Sequence, residues 1–169
     1  MNKKKAMHLA KISLKADIDN NFKVIHIDPS VSPENKIISR KVIINDIIEL
    51  IDFCHEYSQK RNKKIFFEIG TEEPSCFTGT TNELKDLVDE IITRLSLSKL
   101  PNPLFCVLQT GTRVKELSNI GDLNNLKLIK KNFLKINKIS NICKNNNLML
   151  KQHNTDYLKY KILKQLPKL

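Results

Sequence analysis

Four times along this chain a short run rich in β-branched and aromatic residues is followed by a segment long enough to form a helix. That recurrence constrains the fold more than any other feature. The runs cover residues 22–28, 65–69, 104–109 and 148–152, and they are bounded by turn-forming residues such as Pro29, Pro33, Gly70, Pro101, Pro103 and the Asn145-Asn146-Asn147 triplet. The intervening segments have the apolar spacing of helices. Residues 3–19 place Ala6, Leu9, Ala10, Leu14 and Ile18 three or four apart, and residues 35–59 carry Ile37, Ile38, Ile44, Ile47, Ile48, Ile51 and Phe53. Further helices are predicted over 81–97, 124–144 and 156–166, and Thr80 with Glu83 has the spacing of a capping box. Strands alternating with helices of crossover length predict a parallel sheet in an α/β fold, either doubly wound or a barrel. A closed (β/α)8 barrel needs eight strands and typically ~250 residues. A chain of 169 residues supplies about half of one, some four βα units in a single domain over residues 1–169, and the choice between doubly wound sheet and barrel stays open.

Composition narrows the class. A hydrophobic fraction of 40% suffices for a buried core. No run of ~18 apolar residues appears, and the lysine-rich opening is too polar for a signal-peptide core, so a cytoplasmic protein with no membrane partner is expected. Cys54, Cys76, Cys106 and Cys143 are far apart with no CxxC pair, which predicts free thiols. The net charge of +11 raises the question of a nucleic-acid partner. Lysines occur in every segment, aromatics make up only 6%, and Asn, Ile and Lys are used heavily throughout, which reads as compositional bias. The expectation is no nucleic-acid partner, with the charge compatible with phosphorylated small molecules.

In parallel α/β folds functional groups gather at the C-terminal ends of strands, and polar residues stand there each time in this sequence. Alternation puts His26 and Asp28 on the face opposite Ile25 and Ile27, and Glu68 on the face opposite Phe67 and Ile69. The loops that follow add Thr71-Glu72-Glu73, Thr78-Gly79-Thr80-Thr81, Thr110-Gly111-Thr112 and His153-Asn154-Thr155-Asp156. Glycine lets backbone amides approach a phosphate and threonine adds donors. Thr78 to Thr81 read as helix capping ahead of phosphate binding, whereas for Thr110 to Thr112 the two readings are even. His26, Glu68, His153 and Asp156 could together supply imidazole and carboxylate ligands to zinc. Lys151 alternates into the interior, where it could form a Schiff base or pair with a buried carboxylate or a phosphate.

Four segments, Ile25-His26-Ile27-Asp28-Pro29-Ser30, Phe67-Glu68-Ile69-Gly70-Thr71-Glu72-Glu73, Val107-Leu108-Gln109-Thr110-Gly111-Thr112 and Lys151-Gln152-His153-Asn154-Thr155-Asp156-Tyr157, resemble in order and spacing the non-catalytic subunit family of class II tagatose-bisphosphate aldolase. The resemblance implies an α/β fold that is a partial TIM (β/α)8 barrel of about four βα units, and a role in carbohydrate metabolism, supporting a catalytic aldolase subunit in the cleavage of a ketose bisphosphate to triose phosphates. The partners so implied are a phosphorylated sugar and either that catalytic subunit or a second chain that completes the barrel. An inactive remnant acting as an interaction subunit is the alternative. Were the chain itself a metal-dependent lyase, Glu68 and Glu72 would be the acid/base candidates, His26 and His153 the ligands to Zn2+, and Asp28, Ser30, Thr71, Gln109, Thr110, Gly111, Thr112, Lys151 and Asn154 the substrate contacts. The stretch between Glu73 and the third strand departs from the Pro- and Gly-rich sequence of the family, which implies a divergent branch of it. The family is also about twice the length of this chain.

Overall fold

The computed structural model describes residues 2–30, 38–70, 80–110, 112–121, 123 and 128–166. Its elements in chain order are α1 (Lys3–Asp19), β1 (Val24–Ile27), α2 (Arg40–Lys60), β2 (Phe66–Gly70), α3 (Thr81–Leu97), β3 (Phe105–Gln109), β4 (Thr112–Lys115), β5 (Ser118–Gly121), α4 (Ile129–Asn145), β6 (Met149–His153) and the short α5 (Tyr160–Leu163).

The four long helices all end the same way. The backbone N–H of Phe22, Lys63, Leu100 and Leu148 each returns to the carbonyl five residues earlier, on Asp17, Ser58, Leu95 and Cys143. The preceding residue, Asn21, Asn62, Lys99 or Asn147, has φ between 53° and 66°. These are Schellman motifs, in which a left-handed residue satisfies carbonyls that a helix leaves unbonded. Glycine usually fills that position. Here asparagine does so three times, which gives the asparagine-rich composition a structural use. Two helix starts are also capped by side chains: Asn2 accepts from the Lys5 N–H at 3.0 Å, and Thr80 with Glu83 forms the expected capping box.

β1, β2, β3 and β6 form one parallel sheet in the order β1-β2-β3-β6. Strand order follows chain order with no reversal, and each long helix packs on its successor, α1 on α2, α2 on α3 and α3 on α4. The helices share one buried core with one face of the sheet. Ile25, Ile27, Phe67, Ile69, Cys106 and Leu108 meet Ile18, Ile47, Ile51, Leu87, Ile91 and Ile139 there. A second cluster of Leu123, Ile136, Leu158 and Ile162 ties α5 to α4.

The sheet and its helices thus match the predicted α/β class. The hairpin β4–β5 was not expected from the sequence. It pairs Thr112 with Gly121 through Lys115 with Ser118, and its turn puts Glu116 at φ 55°. A Glu-Leu turn lacks the Asn-Gly or Asp-Gly signature that marks a hairpin. The strand residues Val114 and Ile120 are exposed, so no buried face reveals the alternation either. α5 is shorter than the helix expected over 156–166, and residues 35–37 and 124–127 of two other predicted helices lie outside the described residues. Among the described residues no helix is long and apolar enough to cross a membrane.

Candidate functional site

Strand register orders the side chains on the face of the sheet away from the helices. One row holds His26, Glu68, Phe105 and Met149, and the next holds Gly70, Val107 and Lys151, with Asp28 following β1 alongside Gly70. The expected alternation, with His26, Glu68 and Lys151 on the face opposite the buried apolar one, is therefore what the sheet produces, and the three converge. His26 Nδ1 lies 2.9 Å from Glu68 Oε1, while Lys151 Nζ lies 2.8 and 2.9 Å from the two Glu68 oxygens. Lys151 stands on β6 and Glu68 on β2, so this ion pair bridges across the intervening β3.

The carboxylate is the enclosed partner: the Glu68 side chain is 9% exposed and that of Lys151 51%. An enclosed carboxylate needs a cation and hydrogen-bond donors, and here a bidentate ammonium and an imidazole answer that need. Lys151 has three N–H donors, and two point at Glu68. Gly70 makes the arrangement possible. A Cβ built there would sit 2.7 Å from Asp28 Cβ and 2.9 Å from His26 Cε1, so any side chain would displace one of them.

The strand-end hydroxyls divide into two kinds. Thr112 is buried, and its Oγ1 donates to the Asn154 carbonyl at 2.7 Å; Asn119 Nδ2 donates to the same oxygen at 2.6 Å and Asn119 Oδ1 accepts from the Tyr157 N–H at 2.6 Å. Thr112, Asn119 and Asn154 thereby fasten the hairpin to the loop after β6. Ser30 and Thr110 differ. Both are buried, and among the described residues their hydroxyl oxygens have no hydrogen-bond partner. A buried hydroxyl without a partner costs about 1–3 kcal/mol, so two of them at the C-terminal end of one sheet are groups that a polar ligand could satisfy. Asp28 Oδ1 accepts from the Ser30 N–H at 2.9 Å and so sets that turn.

Other expected site residues are placed apart or lie outside the description. His26 and His153 stand on opposite edge strands with β2 and β3 between them, and His153 lies four residues beyond Met149, which shares the row of His26, so their backbones are roughly 19 Å apart at ordinary strand spacing and rise. Zinc needs donors within ~2 Å, and among the described residues no three His, Cys, Asp or Glu side chains group as metal ligands. Among the described residues, the donors do not fit a zinc ion. Thr71, Glu72, Gly111 and the stretch Thr78–Gly79 lie outside the described residues, and for Gln109 only the strand backbone is described.

Cys54, Cys106 and Cys143 are free and buried, as expected of reduced thiols, and Cys76 lies outside the described residues. Burial, reinforced by Asp17, pushes the Cys54 thiol up to about 12. Cys106 is also pushed up, first by its hydrogen bond to Cys143 and then by burial. Neither is a nucleophile at neutral pH.

Sequence reasoning missed Asn119 and the role of Gly70. Asn119 belongs to the unrecognised hairpin, and the need for a glycine at 70 arises only when β1 and β2 are set side by side. Compared with protein-family models and with curated proteins, the chain matches none.

Proposed function

We propose that this chain is a barrel-type, sugar-phosphate-binding protein that supports the aldol cleavage of a ketose bisphosphate by a separate catalytic chain. The observation that carries the reading is the His26–Glu68–Lys151 cluster, set on one face of a sheet whose strands run in chain order. Doubly wound sheets reverse their strand order at a switch point; a barrel does not, and four sequential strands are half of the eight that close one. The inner face of such a barrel is where a phosphosugar would lie, among polar groups at the strand ends.

Each residue has a role in this reading. Lys151 presents its remaining N–H donor to a phosphate oxygen, with Glu68 holding the ammonium in place. His26, oriented by Glu68, hydrogen-bonds a sugar hydroxyl. Ser30 and Thr110 offer the unused hydroxyls. The chain binds and orients, and carbon–carbon bond cleavage belongs to the partner. A cation already bonded to a carboxylate makes a poor amine nucleophile, which favours phosphate pairing over a Schiff base for Lys151.

The test is calorimetric titration of the purified chain with tagatose 1,6-bisphosphate, with fructose 1,6-bisphosphate and inorganic phosphate alongside, repeated on Lys151→Met. Binding of a ketose bisphosphate in the micromolar to millimolar range, weakened about tenfold or more in the variant, is the expected result. A tenfold loss corresponds to about 1.4 kcal/mol, the scale of one charge-assisted hydrogen bond. No heat with either sugar, or equal affinity in the variant, would overturn the reading.

A further inference from the structure

Lysines occur in every segment of this chain of net charge +11. What segregates is the carboxylates. The first 122 residues hold 18 basic and 17 acidic side chains, so they are close to neutral, whereas residues 123–169 hold eleven lysines against one carboxylate, Asp156, for a net +10. Nearly the whole surplus therefore falls on the part of the molecule built from α4, β6 and α5.

The two parts also differ in how their charges are satisfied. In the first part Lys3, Lys11, Arg40, Lys60, Arg61 and Lys85 all pair with carboxylates. On α4, Lys130, Lys131, Lys135 and Lys138 are exposed, and among the described residues they form no ion pair. Lys131, Lys135 and Lys138 are spaced i, i+4, i+7 and share one helix face. The nearest acidic helix is α3, whose Asp89 is already bonded to Lys85 and to Asn146. α5 packs on α4 through Ile136, Leu158 and Ile162 and adds exposed Lys159, Lys161 and Lys164. Among these last three lysines stands Tyr160, 74% exposed, with Tyr157 also exposed nearby. Eleven lysines against one carboxylate over residues 123–169 repel one another, and an anionic polymer would relieve that repulsion.

We infer that the α4–α5 side binds single-stranded nucleic acid, the lysines of both elements neutralising phosphates while Tyr160 and Tyr157 stack on bases. Three features select this ligand. The apolar side of α4 is turned into the protein, at Ile136, Ile139 and Cys143, whereas a helix seated in a membrane surface turns that side outward. The exposed leucines of α4 and α5, Leu134 and Leu163, stand among exposed lysines, and lysine is depleted at protein interfaces. Exposed aromatic rings among lysines suit bases with free faces, which single strands offer and duplexes do not. This inference does not depend on the sugar-phosphate reading, since its residues lie away from the His26–Glu68–Lys151 cluster.

Fluorescence anisotropy of a labelled 20-nucleotide oligouridine, titrated with the full chain between 50 and 300 mM KCl, provides the test. Binding is expected at a Kd on the order of 1–10 µM near 100 mM salt, with a log–log salt slope of about −3 to −4, as for about five phosphates on a single strand. Lys131→Glu/Lys135→Glu/Lys138→Glu should weaken binding by more than about tenfold and flatten the slope by about 2. Tyr157→Ala/Tyr160→Ala should weaken it about fivefold or more with the slope unchanged, because stacking carries no counterion release. The control Lys4→Glu/Lys5→Glu/Lys41→Glu changes net charge equally on exposed residues of the near-neutral part and should change affinity less than about threefold. All of these side chains are exposed, and thermal melts of each variant verify folding. The inference is overturned if the control triple matches the α4 triple, if the tyrosine pair has no effect, or if a 20-base-pair duplex or phosphatidylglycerol vesicles bind as tightly as the oligouridine.

Discussion

The two faces of the sheet come from the same strands but are built for different ends. On the helix face, Ile25, Ile27, Phe67, Ile69, Cys106 and Leu108 are all fully buried, each row meeting a helix that arrives from the adjoining connection. On the far face, Val24, Phe66 and Met149 are exposed, Met149 by 53%, and the centre is an ion-paired cluster in place of packed hydrocarbon. The stability of this chain therefore resides on the first face, and its chemistry on the second. Substitutions of similar size at matched positions on the two faces should have very different consequences.

The largest expected contrast is between Ile69→Ala and Met149→Ala. Removing the Ile69 side chain leaves a void between β2 and the helix layer, a change that typically costs 2–5 kcal/mol. Met149 is half exposed, and its truncation should cost less than ~1 kcal/mol, since little packing is lost. Urea denaturation of both variants measures the difference. Equal losses would mean that the far face is as well packed as the helix face.

The helix face also makes a prediction in alkali. Cys54 sits in that core on α2, and burial, with Asp17 adding to it, holds its thiol proton up to about 12 in the folded state. An unfolded cysteine titrates near ~8.5. For a folded-state value above the unfolded one, the stabilisation is fully present below the unfolded value and is lost as pH rises toward the folded one. Stability should therefore fall between about pH 9 and 12, by up to ~1.4 kcal/mol per pH unit for this group. A Cys54→Ala variant, weaker at pH 7 by about 1 kcal/mol for its cavity, should show a flatter decline over that range. Parallel curves for the two proteins would show that water reaches the core.

Legibility in the sequence follows the same division. The helix face could be read because burial imposes period: Ile25 and Ile27, Phe67 and Ile69, and the isoleucine run of α2 announce strands and helices before any pairing is known. The alternation that put these residues inward also put His26, Glu68 and Lys151 on the other side, so the members of the cluster were legible too. Their partnership was not. Glu68 lies 42 residues from His26 and 83 from Lys151 in the chain, and only the order β1-β2-β3-β6 brings the three together. The hairpin was hidden for a different reason. Its residues are fixed by Thr112 and Asn119 bonding to a loop 35 or more residues away, and hydrogen bonds to backbone carbonyls leave no periodic trace in sequence. Three of the four Schellman turns stood in plain sight as asparagines, Asn21, Asn62 and Asn147, but composition disguised them as bias.

The smallest expected effect bears most directly on the far face. Lys151→Met removes the cation from a carboxylate that is 9% exposed while preserving much of the hydrocarbon stem. The pair cannot carry a large net stabilisation, because the Lys151 side chain is 51% exposed and solvent screens it. The loss should be about 1 kcal/mol, most of it from leaving Glu68 with His26 as its remaining side-chain partner in the cluster. Glu68→Gln should then restore part of that loss in the double variant, since a neutral amide in the same position no longer needs the ammonium. A double-mutant cycle measured by urea denaturation should give a coupling energy of about 0.5–1 kcal/mol. Additive losses would mean that the two residues stabilise the sheet independently, in which case the cluster is a coincidence of packing and the sugar-phosphate reading loses the observation that supports it.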